Sequence, residues 1–119
     1  MVSEKEINKL INRNGSDLVT ITLPTHKAGE ESKQDPIRLK NLLADAVSIL
    51  KENGKKEADA EKYLQSAFDL LDKPLFWAHA DKGLAIYISE DESDIFKLPY
   101  NVDGEVYVHD HHLITPLLP

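Results

Sequence analysis

The sequence contains no cysteine. That excludes a disulfide framework and all thiolate chemistry, and it fits a reducing compartment. No apolar run approaches the roughly 18 residues that a membrane span needs. The opening Met1-Val2-Ser3-Glu4-Lys5-Glu6 lacks the basic-then-apolar layout of an export signal, so the expectation is a cytoplasmic chain without membrane contact. Positive charge is scarce: 14 basic residues against 21 acidic ones leave a net charge of −7. A negative field of that kind repels phosphate backbones and weighs against strong non-specific nucleic-acid binding, short of a local basic patch. Gly-x-Gly-x-x-Gly, Gly-Lys-Ser/Thr and Gly-x-Ser-x-Gly are all missing, which removes the common phosphate loops and the nucleophile elbow. No nucleophile stands at a recognisable spacing from a base. The expectation is a non-catalytic domain without a cofactor.

What is present suits one small globule. A chain of 119 residues, 41% hydrophobic and 29% charged, has room for a single domain with one core. Ser3-x-x-Glu6 is a capping box, and Ile7, Leu10 and Ile11 follow on one helical stripe, which Asn14-Gly15 stops. Asp17 to Leu23 reads as a strand ended by Pro24. Asp35-Pro36 reads as a helix start, with the carboxylate as cap and proline at the first helical position; Leu39, Leu42, Leu43, Ala46, Val47 and Leu50 continue it as far as Asn53-Gly54. A third helix is expected from about Glu57 to Leu71, broken by Pro74. Strands follow over Leu84 to Ser89, Ile95 to Leu98 and Glu105 to Ile114, with turns at Asp81-Lys82-Gly83 and Asp103-Gly104. Late strands on short connections favour antiparallel neighbours. The expected class is α+β, a mainly antiparallel four-stranded sheet packed between helices. Residues 1–119 then form a single N-terminal domain. The apolar, proline-flanked end Thr115-Pro-Leu-Leu-Pro119 reads as the start of a linker, so a longer multi-domain protein is expected.

Candidate chemistry is sparse. His26, His79, His109, His111 and His112 are the histidines. In a continuing strand His109 and His111 would share a face and could hold a metal with His26 or His79 as third ligand; the plain alternative is a solvated strand edge. Thr25, His26 and Lys27 directly follow a strand, where loops often carry function. Arg38, Asn41 and Asp45 run along the outer face of the long helix beside Lys40, and with Lys27 and Lys33 they make the best local positive surface, diluted by Glu30, Glu31 and Asp35. An amphipathic helix needs no function to explain it. Trp77, the sole tryptophan, beside Phe76, reads first as core filler and only second as a stacking platform.

The runs Val19-Thr-Ile-Thr-Leu-Pro-Thr-His-Lys-Ala-Gly29 and Gln34-Asp-Pro-Ile-Arg-Leu-Lys-Asn-Leu-Leu43 resemble the start of the bacterial relatives of archaeal and eukaryotic peptide-chain release factors. So do Phe76-Trp77, Gly83-Leu-Ala-Ile-Tyr87, Phe96-Lys-Leu-Pro99 and His112-Leu-Ile-Thr-Pro-Leu-Leu-Pro119, and together they cover nearly the whole chain. The resemblance implies the N-terminal domain of a three-domain protein, an antiparallel sheet sandwiched by helices that faces the ribosomal A site. The hydrolytic Gly-Gly-Gln loop of such proteins lies in the following domain, and none occurs here. At the place of the stop-codon motif Asn-Ile-Lys-Ser stands Asp35-Pro-Ile-Arg38, sharing the isoleucine and a basic residue. At the place of Tyr-x-Cys-x-x-x-Phe stand Tyr107, His109 and Leu113, sharing only the tyrosine.

The implied role is docking near the A site in termination or stalled-ribosome rescue, with the ribosome, RNA and the following domains as partners. Tyr107 and His109 would stack on a base, while Arg38, Lys40 and Lys27 would meet phosphate. Two other readings stay open, a protein-interaction or scaffolding domain without RNA binding and a metal enzyme using His109 and His111. A basic groove around Lys27, Arg38 and Lys40 would favour RNA. An exposed apolar patch would favour protein, and converging imidazoles would favour metal.

Overall fold

The computed structural model describes residues 2–118. The Ser3 hydroxyl accepts from the Glu6 amide at 3.1 Å, and the Glu6 carboxylate accepts from the Ser3 amide at 3.0 Å. This reciprocal cap starts α1 (Glu4–Ile11). After it come β1 (Leu18–Pro24), α2 (Glu30–Glu52), α3 (Glu57–Tyr63), α4 (Gln65–Phe68), a 3-10 turn (Asp69–Asp72) and α5 (Pro74–Ala78). The chain then forms β2 (Gly83–Ile88), β3 (Ser93–Leu98), β4 (Glu105–His109) and a closing 3-10 turn (Thr115–Leu117). The architecture is α+β, as the pattern of elements predicts.

Three boundaries differ from the sequence reading. First, α2 begins at Glu30 and runs straight through Pro36, with Gly29 as N-cap at φ 89°, a backbone conformation that glycine adopts without a steric penalty. Asp35 is no cap. It is fully buried, and its carboxylate accepts from the His26 amide instead, so the helix winds on upstream of it. Second, the expected helix from Glu57 to Leu71 breaks at Leu64 (φ −95°, ψ 10°) and tightens into the 3-10 turn. The break accompanies full burial of Ala60, Leu64 and Ala67, with Leu70 nearly so. Pro74 then opens α5, where its missing N–H costs no hydrogen bond. Third, β4 stops at His109, so His111 and His112 lie in a turn outside the strand.

The sheet order is β3-β2-β1-β4, antiparallel throughout. β2 and β3 form the expected hairpin. β4 does not add beside β3 but crosses to the far side of β1, pairing Thr20 with Tyr107. The crossing is tied down where the Thr22 hydroxyl donates to the Asp103 carbonyl at 2.8 Å. Side chains alternate between the sheet faces. Val19, Ile21, Leu23, Leu84, Ile86 and Ile88 pack against Leu39, Leu43, Ala46 and Leu50 of α2 and the apolar residues of α3 to α5. The opposite face buries Ala85, Tyr87 and Leu98 beneath Leu10 of α1 and Leu117 of the closing turn. The sheet therefore lies between two coverings, a thick one of four helices and a thin one of α1 and the C-terminal turn. No helix among the described residues is long and apolar enough to cross a membrane.

The entrance to β2 leaves no space for a side chain: a Cβ on Gly83 would sit 2.7 Å from the Tyr100 carbonyl oxygen. Gly83→Ala is expected to lower stability by about 1–3 kcal/mol, as overpacking does. The measurement is the urea midpoint at unchanged slope; an unmoved midpoint would mean that the Tyr100 loop gives way freely.

Candidate functional site

The loop leaving β1 is built around one buried carboxylate. Asp35 accepts from the His26 amide at 2.8 Å, pairs with His26 Nδ1 at 2.9 Å and accepts from the Arg38 guanidinium at 2.7 Å. Arg38 also donates to the Glu31 carboxylate at 2.6 Å. The Thr25 hydroxyl donates to the Asp81 carbonyl at 2.6 Å, anchoring the loop to the turn before β2. The fold does bring Thr25, His26 and Arg38 together, but their polar groups are engaged in holding the loop. Arg38 is flanked by two carboxylates and only one-third exposed, so the basic groove that would favour RNA is not formed around it. Lys27 stands 3.7 Å from Asp81 in an exposed pair. Lys40 and Asn41 are exposed, and among the described residues Lys40 makes no ion pair. Arg38 and Asn41 also line a shallow pocket of about 330 Å³ with Leu23, Pro24, Leu42 and Gly104.

The second cluster sits on the free edge of the sheet. The Tyr107 ring stacks on His109 with centroids 4.5 Å apart and planes inclined by 27°, and His111 meets it edge-on at 5.8 Å. His111 Nδ1 lies 2.8 Å from the Asp110 carboxylate, and Nε2 lies 3.0 Å from the Tyr107 hydroxyl. An ionised carboxylate only accepts, so in the neutral ring Nδ1 carries the proton and Nε2 accepts from the tyrosine. The neighbouring His111 holds the Asp110 carboxyl below its usual range. The half-buried Tyr107 and the exposed His109 and His111 thus form a small platform, ordered by ring stacking and by the hydrogen bonds of His111.

Within the described residues no three His, Asp or Glu side chains converge to hold a metal. His79 caps α5 and His26 belongs to the Asp35 cluster. Neither joins the pair His109 and His111. His112, counted above with the strand histidines, is buried at 3% exposure.

Two features escape the sequence. One is a polar junction at Arg13, whose side chain is 8% exposed. It donates to the Glu92 carboxylate at 3.0 Å, to Asp94, and to His112 Nε2 at 3.4 Å. Lys9 joins through Glu92 at 2.9 Å. Lys9 lies in α1 and Arg13 just after it, Glu92 in the β2–β3 turn, Asp94 in β3 and His112 after β4, so no spacing in the sequence announces them. The other is a groove of about 520 Å³ where the start of α2 faces α5.

His112 also shows why burial decides charge. Arginine only donates, so His112 Nε2 must carry a lone pair, which leaves the proton on Nδ1 facing Thr20 Oγ1 at 3.4 Å. Burial first, and the Arg13 guanidinium second, push the imidazole down to about 4 from 6.5.

No family model and no curated protein matches the chain.

Two outcomes are expected from these clusters. Asp35→Ala removes the shared acceptor of His26 and Arg38 and should cost about 3–5 kcal/mol, measured by denaturant unfolding. A loss below 1 kcal/mol would show that the loop holds itself. For His112, the unfolded chain takes up a proton near pH 6.5 while the folded chain resists down to about pH 4. The unfolded state binds more protons in that window, so stability present above pH 6.5 falls as pH drops toward 4, by up to about 3 kcal/mol. His112→Asn should flatten that part of the stability–pH curve relative to the parent chain, and superimposable curves would remove His112 as the cause.

Proposed function

We propose that this chain is the non-catalytic N-terminal recognition domain of a release-factor-like protein, contacting RNA of the ribosome in termination or stalled-ribosome rescue. The observation that carries the reading is the Tyr107–His109–His111 platform, whose two imidazoles are exposed and whose tyrosine is half-buried. It lies on the strand where the resemblance keeps the tyrosine. The Tyr107 hydroxyl is taken up by His111 and one ring face by His109, which leaves the exposed His109 and His111 rings to meet a base. An unpaired base stacking on such a surface gains roughly 1–3 kcal/mol without sequence preference. Phosphate contact falls to Lys27 and Lys40, because Glu31 and Asp35 neutralise Arg38. Binding is then dominated by stacking, as a chain of net charge −7 requires.

Short single-stranded RNA is expected to bind with a log K against log salt slope of about −1.4, the value for two phosphate contacts. Tyr107→Ala should weaken binding by about five- to a hundredfold, and Lys27→Ala with Lys40→Ala should flatten the slope. Fluorescence anisotropy across a salt series reads all three. Absence of association at low salt would overturn the reading.

A second reading, a protein-interaction or scaffolding domain, is favoured by a separate observation. Ile37 on α2 and Leu75 on α5 are 51% and 75% exposed, and large apolar side chains left in water favour partner contact.

A further inference from the structure

We infer that Asn14 is a site of spontaneous covalent modification, where its side-chain amide closes on the Gly15 nitrogen, sheds ammonia and opens to aspartate or isoaspartate. The sequence holds two Asn-Gly pairs, Asn14-Gly15 and Asn53-Gly54. Glycine is the least obstructive follower, because no Cβ shields its amide nitrogen. In the first step the Gly15 nitrogen bonds to the Asn14 side-chain carbonyl carbon. The carbon–NH2 bond breaks, and the NH2 group leaves as ammonia with the proton that the Gly15 amide carried. The product is a five-membered imide. Water then adds to either carbonyl of that ring, giving aspartate or isoaspartate, and nothing is oxidised or reduced.

The fold separates the two pairs. Both are exposed, so access of solvent does not distinguish them. At Asn53 the helix end holds the reacting groups apart. Asn53 is the C-cap of α2 with ψ at 5°. The ring closes only when Cβ and the following nitrogen lie nearly eclipsed about the Cα–C bond, far from that setting. The Gly54 N–H donates to the Lys51 carbonyl at 3.0 Å, so the attacking nitrogen is engaged. The Asn53 carboxamide donates to the Asp17 carboxylate at 2.9 Å. Reaction there must wait for these bonds to open locally. Asn14-Gly15 lies in irregular chain between α1 and β1. Among the described residues neither the Asn14 carboxamide nor the Gly15 amide has a hydrogen-bond partner. Nothing has to open first.

The product strains a connection that has little slack. Isoaspartate routes the main chain through the former side chain and adds one carbon between Arg13 and Leu18. Arg13 is held in the polar junction by Glu92 and His112, and Leu18 is buried at the start of β1. Gly15 already packs closely, since a Cβ on it would stand 3.2 Å from Leu18 Cδ2. Either product also adds a negative charge to a recess that Asn14 shares with Asp17, Glu90 and Lys55.

The chain is aged in mildly alkaline buffer, once folded and once in guanidinium chloride, and its peptides are weighed over time. In the folded chain the Asn14 peptide is expected to show the amide-to-acid mass change about tenfold faster than the Asn53 peptide, because the latter reacts only from a locally opened state. In denaturant the two rates should converge. Asn14→Ser should remove the early acidic species seen by isoelectric focusing. Asn14→Asp carries the new charge without the added carbon and should keep the urea midpoint of the fresh chain, whereas the isoaspartate fraction of the aged chain should unfold at lower urea. Equal rates at Asn14 and Asn53 in the folded chain overturn the proposal. So does an Asn14 that reacts only in denaturant, which would mean that the loop is closed. An isoaspartate fraction with the midpoint of the fresh chain overturns the strained connection.

Discussion

β1 is hydrogen-bonded on both edges and buried on both faces, and β2, β4 and α2 are placed by what they extend or cover on that strand. Its Val19, Ile21 and Leu23 draw α2 and the short helices onto one side. Thr20 and Thr22 point to the other side, where a hydroxyl must find a partner once water is excluded. Thr20 accepts from the Leu113 amide and Thr22 donates to the Asp103 carbonyl. Those two bonds tie down the segments on either side of β4. The threonines therefore guide the return of the chain as well as filling space.

The buried charges of this protein are spent on its own architecture. Asp35 holds the β1–α2 loop, and Arg13 joins α1 to the β2–β3 turn and to His112. Arg38, the residue most suited to phosphate, is consumed by Glu31 and Asp35. What remains on offer is aromatic or apolar: the stacked edge at Tyr107 and the groove floored by Trp77.

The candidate site was legible only in part. Thr25, His26 and Arg38 are indeed neighbours, because a loop that follows a central strand must return near the start of the next helix. Their hydrogen bonds could not be read in advance, since the carboxylate expected to cap α2 turned inward to the loop. Tyr107 and His109 share a face by strand periodicity, and their stacking follows from it. His111 joins them despite leaving the strand, through a tyrosine hydroxyl that periodicity does not locate. Arg13 and Trp77 owe their roles to residues far away in sequence, and no local pattern distinguishes them from an ordinary surface arginine or core tryptophan.

The sequence by itself determined the α+β class, the cap at Ser3, the apolar faces of α2 and the strands, and the burial of Leu10 and Trp77, while Ile11 of the expected α1 stripe lies exposed. These follow from period, capping chemistry and hydrophobicity, which act over a few residues. Tertiary structure alone decided that β4 crosses to β1, that α2 begins at Glu30, that His112 is held neutral, and that a groove opens opposite α5. Each of those depends on which buried polar group meets which partner once distant segments pack, and that competition has no signature in local spacing.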